Sequence, residues 1–201
     1  MTITHGYCTL EQAKERLDIS TADTADDTIL EAVVTAVSRQ IDAMTGRRFY
    51  STTADEVRYY TAFFDDVIWV DDLTSVSSLE TDADGDRTYE TSWSATDYDL
   101  CPVNAALDGF PYTYIEAAPL GNYSFPTGRK GVKLTARFGY CADEAHPDVV
   151  REACLIQTAR IWKRKDAPFG VVGSAEMGQL QTITRLDPDV ELLLQGVRKL
   201  T

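Results

Sequence analysis

The residues of this chain that could perform chemistry are few and scattered. Cys141 and His146 stand five positions apart in "CADEAH", a thiol and an imidazole of the types that a nucleophile and its general base require. Such pairs are made by spatial geometry, not by nearness in sequence, and the simpler reading has Cys141 closing a strand and His146 preceding a helix. Cys8, Cys101, Cys141 and Cys154 contain no C-x-x-C pair, and the two histidines complete no zinc spacing. That usage fits reduced thiols in a cytoplasm better than a disulfide framework. "DADGD" (82–86) resembles a calcium loop, but its glycine is fourth rather than sixth and its twelfth position is Trp93. It reads as a hairpin turn with Asp84-Gly85 at the tip. "GVVGSAEMG" (170–178) shares only its glycines with a phosphate loop and lacks the Gly-Lys-Ser/Thr ending. The carboxylate pairs Asp65-Asp66 and Asp71-Asp72 are ordinary in a chain with 32 acidic residues and read as solvated surface. Lys163, Arg164 and Lys165 complement the dipole at the end of a helix, or meet an acidic partner. No catalytic, cofactor-binding or metal site emerges, and the chain reads as a non-enzyme.

The elements around these residues are better marked. Thr9 and Gln12 have capping-box spacing, and a short helix to about Leu17 follows. Ile29, Leu30, Val33, Val34, Val37, Ile41 and Met44 form one stripe at helical period, with Asp26 or Asp27 to start the helix and Gly46 to stop it. From Arg47 to about Tyr140 the texture is β: "EVRYYTAFF", "DVIWVDDL", "YTYIEAA" and "GVKLTARFGY" are short, rich in aromatic and β-branched residues, and bounded by turn formers. Helix returns at "HPDVVREACLIQTARIWKRK", with Pro147 in the first position. Val149, Val150, Ala153, Cys154 and Ile161 make one apolar face there, and Leu155 with Trp162 a second, which another subunit could cover. The last helix, "DPDVELLLQGVRKL", has Asp187 as its cap, Pro188 first, and Arg198 and Lys199 late. Between these two helices lies a long loop, 166–186, with three glycines at 170, 173 and 178 and several large apolar side chains. A loop of that length without secondary structure of its own is usually functional or disordered.

The sum is an α+β chain in three parts. Residues 1–49 supply N-terminal helices, 50–140 an acidic β-rich insertion, and 141–201 C-terminal helices with the Gly-rich loop. About four helices form a small bundle. The net charge is −13 over 201 residues, and residues 50–128 hold fifteen acidic against two basic side chains. Such a surface repels nucleic acid. There is no apolar run long enough to span a membrane and no signal-peptide core at the N-terminus.

Read in order, "TGRRF" after the long helix, "FGY" at the end of the β-rich segment, and "P-x-x-V-R-x-A" opening the next helix resemble the head–tail connector (adaptor, or head-completion) proteins of tailed bacteriophages. The resemblance covers nearly the whole chain, with a β insertion larger than in the smallest members. It implies a structural virion protein without cofactor or catalysis. Copies, usually twelve, would form a ring beneath the portal, extend the DNA channel and present a platform to the next neck or tail protein. Its place would be the virion neck, and the host cytoplasm during assembly. In such a ring every contact is heterologous, and Leu155 and Trp162 are the expected subunit interface. Phe169, Val171, Val172, Met177, Leu180 and Arg185, on the Gly-rich loop, are the expected contacts to the portal or a neighbouring copy. DNA would pass without specific binding, the acidic insertion facing either the lumen or the outer rim. The alternative within this class is a tail-completion or other neck ring protein that meets the tail instead of the portal. Outside it stand a small hydrolase using Cys141 and His146, and a DNA-binding module that the charge disfavours.

Overall fold

The computed structural model describes residues 2–141, 146–165 and 187–199, together with the backbone of 171–172 and 181–182. It has a mixed α+β fold. The chain divides into two compact units, 48–145 and the remainder, the latter drawn from both ends of the sequence.

In the helical unit, α1 (Leu10–Arg16) opens on the complete capping box: Gln12 N donates to Thr9 Oγ1 at 3.1 Å and Thr9 N donates to Gln12 Oε1 at 2.9 Å. α2 (Asp27–Thr45) is stopped by Gly46 in the left-handed conformation, with φ of 66°. Asp26 occupies its N-cap without a side-chain cap bond and instead accepts from the Lys165 ammonium at 2.6 Å. The buried face of α2 is Leu30, Val34, Val37, Ser38, Ile41 and Thr45, whereas Ile29 is exposed. Two hydroxyls therefore lie inside the apolar stripe. Each donates to the carbonyl one turn back, Ser38 to Val34 and Thr45 to Ile41, both at 2.8 Å, which satisfies the hydroxyl proton within the helix.

α3 (Asp148–Lys163) packs against α1, α2 and the last helix. Pro147 is its N-cap, one position earlier than the sequence suggested. Its buried residues are Val150, Ala153, Cys154, Gln157 and Thr158, with Val149 exposed and Ile161 half-buried. One face is thus buried and half polar. α4 (Pro188–Gln195) starts on Asp187, whose side chain accepts from Asp189 N at 3.0 Å. It ends before Arg198 and Lys199, and Lys199 N instead donates to Thr45 O at 2.8 Å.

The sheet unit contains β1 (Glu56–Tyr60), β2 (Val67–Thr81), β3 (Thr91–Trp93), β4 (Tyr98–Cys101), β5 (Tyr112–Ala117) and β6 (Val132–Phe138). All pairings are antiparallel, in the order β1-β6-β2-β5-β4, with β3 on β2. β2 is the spine. Its first residues pair with β5 and its later ones with β6, with register shifts between Trp69 and Leu73, Leu73 and Ser75, and Val76 and Ser78. Bulges of this kind bend a strand and increase its twist, which lets one strand serve both neighbours. Ile68, Leu73, Leu79, Ile115, Leu134, Phe138 and Trp93 fill the core, with the Trp93 ring stacked 4.7 Å from Phe125. Trp93 Nε1 donates to Thr81 Oγ1 at 3.0 Å, satisfying the buried indole.

Two of the motifs behind the family resemblance meet in this unit. Tyr140 N donates to Arg48 O and Thr52 N to Phe138 O, both at 2.8 Å, and the Phe49 and Tyr140 rings are 5.1 Å apart. Gly139 sits at the crossing with φ of 144°, where a Cβ would lie 2.2 Å from Tyr50 O. Only glycine fits there.

Within 166–186 the backbone forms two short strands, β7 (Val171–Val172) and β8 (Gln181–Thr182), paired antiparallel. The segment therefore has secondary structure of its own, contrary to its reading as an unstructured loop.

Candidate functional site

The sheet unit presents large apolar side chains to solvent on ordered loops. "AFFDD" (62–66) in the β1–β2 connection cannot turn both phenylalanines inward. Ala62 is buried, while Phe63 is 82% and Phe64 60% exposed. Its backbone is tied to residues 117–130 by Phe125 N donating to Asp65 O and Ala117 N to Asp66 O, both at 2.8 Å, and Lys130 N donates to the side chain of the preceding Thr61 at 3.0 Å. Leu120, on that second segment, is 99% exposed. The result is a hydrogen-bonded apolar tip bordered by Asp65 and Asp66.

A second group lies on the β4–β5 connection, where Val103, Leu107 and Phe110 are all exposed. That loop is turned by Ala105 N donating to Pro102 O at 2.9 Å and Phe110 N donating to Ala105 O at 2.8 Å, around the buried Ala105. On the outward face of the sheet, Trp69 is also exposed, its ring 4.9 Å from Tyr114 directly across the β2–β5 pair. Exposed apolar side chains grouped on fixed backbone mark contact surfaces. The sequence signal for the first was present: two adjacent phenylalanines followed by two aspartates break the alternation that a half-buried strand requires. Leu107 and Leu120 stand alone in turn-rich loops, where periodicity is silent.

Leu155 and Trp162 are half-buried. Trp162 shares a cavity of about 150 Å³ with Lys14, Asp23, Asp26, Asp27 and Lys165, and the Lys165 ammonium lies 4.9 Å from the centre of its ring. This second apolar face of α3 is thus partly covered within the chain. In the same cavity the buried Lys14 donates to Asp23 O at 2.7 Å and pairs with Asp27 at 2.5 Å, pinning the α1–α2 connection. Phe169, Met177, Leu180 and Arg185 lie outside the described residues, and only the backbone of Val171 and Val172 is described.

The candidates for chemistry are otherwise engaged. Burial pushes the Cys141 thiol up to about 11, the opposite of what a thiolate nucleophile needs. His146 Nε2 is 3.1 Å from the Gly6 carbonyl, and its ring meets Tyr7 edge-on at 4.8 Å. The carboxylates of Asp82, Asp84 and Asp86 offer oxygens within 4.8 Å of one another. They are turn acceptors: Asp82 receives Gly85 N at 2.7 Å and Arg87 N at 2.9 Å, Asp84 receives Asp86 N at 3.2 Å, and Asp86 receives Thr88 N at 2.6 Å. Burial alone would raise the Asp82 carboxyl, but these amides outweigh it and hold the group below its usual value. The turn does join an antiparallel pair, β2 and β3, through a connection longer than a two-residue hairpin. Among the described residues no helix is long and apolar enough to cross a membrane.

No family model and no curated protein matches the chain. Solved structures do. A chain from the neck of an empty gene transfer agent particle, computed with C6 symmetry, aligns over 100% of this chain and 94% of its own, with a TM-score of 0.60 at 20% identity. A chain from the virion of the native gene transfer agent particle aligns over the same shares, with a TM-score of 0.59 at 19% identity. The fold is shared. It is shared along the whole chain, so the sheet unit belongs to the common architecture as much as the helices do.

Proposed function

We propose that the protein is a structural component of a phage-type neck, a ring beneath the portal that extends the DNA channel and joins head to tail. The observation that carries this reading is the full-length likeness to a chain of a gene transfer agent neck. The ordered apolar loops of the sheet unit support it, because a ring subunit must bury such groups against unlike faces of its neighbours. Six-fold symmetry was applied to that neck, and twelve copies, the number proposed for this ring, are compatible with it. The ring has no catalytic task. Its sheet unit, residues 48–145, holds seventeen acidic against seven basic residues, a surface that leaves passing DNA unbound.

Co-sedimentation with purified portal-bearing heads of the same phage tests the position. The full chain should pellet with the heads, and a chain truncated after Lys165 should not if 166–201 is the docking element. Equal binding by both chains would remove 166–201 from that role and keep the ring. Binding of both chains to tails and of neither to heads would replace this reading with that of a tail-completion protein.

A further inference from the structure

We propose that Cys8 and Cys154 form a reversible disulfide site that fastens the segment before α1 onto α3. Both are free thiols buried in the helical unit, and their sulfurs are 3.5 Å apart. The pair joins positions 146 residues apart in the chain. Closing a loop of that length restricts the unfolded chain and so favours the folded one. The segment carrying Cys8 is already held at several points: Tyr7 N donates to Ser38 Oγ at 3.0 Å, Arg39 donates to His5 O at 2.8 Å, and His146 meets Gly6 O. A covalent bond at Cys8 would therefore lock an arrangement that the noncovalent contacts have built. Cys101 and Cys141, the other two thiols, belong to the sheet unit.

The oxidant is a small disulfide such as oxidised glutathione. The Cys154 thiolate attacks one of its sulfurs, expelling a glutathione thiolate and leaving a mixed disulfide on Cys154. Cys8, no longer facing a thiolate, then loses its proton, attacks Cys154 Sγ and expels the second. Two protein thiols are oxidised, one glutathione disulfide is reduced to two glutathione molecules, and the two protons released by the protein thiols balance the thiolates. The Cys8 thiol, as hydrogen-bond donor, holds the Cys154 thiol below its usual value, while the same contact and burial push Cys8 up, so Cys154 is the first of the pair to ionise. If the neck reading holds, the site stays reduced during assembly in the cytoplasm and closes in particles released into an oxidising medium.

The test uses the full chain, purified under reductant and then incubated with oxidised glutathione. Intact mass, peptide mapping and the urea midpoint are read before and after. The expected product has lost the mass of two hydrogens, maps to Cys8–Cys154, reverts with dithiothreitol, and unfolds at a higher urea concentration. C101S and C141S should still form it, and C8S and C154S should not. Mapping on the wild-type chain stands even if C154S fails to fold. A crosslink through Cys101 or Cys141, a glutathione adduct that never resolves, unreacted thiols throughout, or a lowered midpoint would each overturn the proposal. None of these results bears on head binding, which tests the neck reading separately.

Discussion

Replacing Gly139 with alanine should destabilise the sheet unit more than any other single-methyl addition to it. Gly139 has φ of 144°, and a Cβ there would stand 2.2 Å from Tyr50 O, 2.6 Å from Ser51 Cα and 2.8 Å from Tyr50 C. All three are backbone atoms, so no side-chain rotation relieves the overlap. A non-glycine residue held at such a dihedral costs about 1–3 kcal/mol, and overpacking adds about 1–3 kcal/mol more. The sum, about 2–6 kcal/mol, is a large part of the roughly 5–15 kcal/mol that keeps a domain folded. Moving the glycine away from Tyr50 would also strain its own bond to Asp72 O, at 2.8 Å. Urea unfolding followed by tryptophan emission reads the effect through the buried Trp93. Gly128→Ala is the control, since nothing lies within 4 Å of its Cβ position, and it should change stability by no more than about 0.5 kcal/mol. A Gly139→Ala protein within about 1 kcal/mol of wild type would refute the close crossing of the two motif segments.

Other perturbations separate assembly from folding. Phe63→Ser with Phe64→Ser should leave the urea midpoint within about 0.5 kcal/mol of wild type while abolishing ring formation or head binding, measured by sedimentation. Unchanged assembly would remove the tip from the contact surface. Lys14→Met deletes the donor to Asp23 O and Asp27 and should cost about 1–3 kcal/mol in the same unfolding assay. No loss would mean that the α1–α2 connection is held by other contacts. The Cys141 thiol, raised from 9.0 to about 11 by burial, keeps its proton longer in the folded chain. Its contribution is present below pH 9 and is lost as pH rises toward 11, because there the folded state binds more protons than the unfolded one. Urea midpoints measured across that window should fall less steeply in Cys141→Ser.

Local chemistry was legible in the sequence, and long-range covering was not. Thr9 with Gln12, Gly46, and Asp187 with Pro188 act through bonds to their own helix, so their spacing sufficed to locate α1, the end of α2 and the start of α4. The continuation of β2 to Thr81 was hidden because "TSVSSLET" is polar and bulged, its pairing supplied by β6. β3 and β4 are three and four residues long, too short for a period to register. The buried Ser38, Thr45, Gln157 and Thr158 escaped a reading that tallied only apolar residues. The charge asymmetry and the Phe63–Phe64 pair were visible, but exposure depends on whether another part of the chain covers a residue, and no spacing states that. Leu155 and Trp162 are half-buried within the chain for the same kind of reason, contacts that no helical spacing states.

The most direct test of the central claim is made in particles. The phage is grown with this protein's gene inactivated, and the products are examined by electron microscopy before and after adding the purified protein. Without the protein, DNA-containing heads and separate tails are expected, with joined particles and added density in the neck after its addition. Joined, infectious particles formed in its absence would contradict the claim.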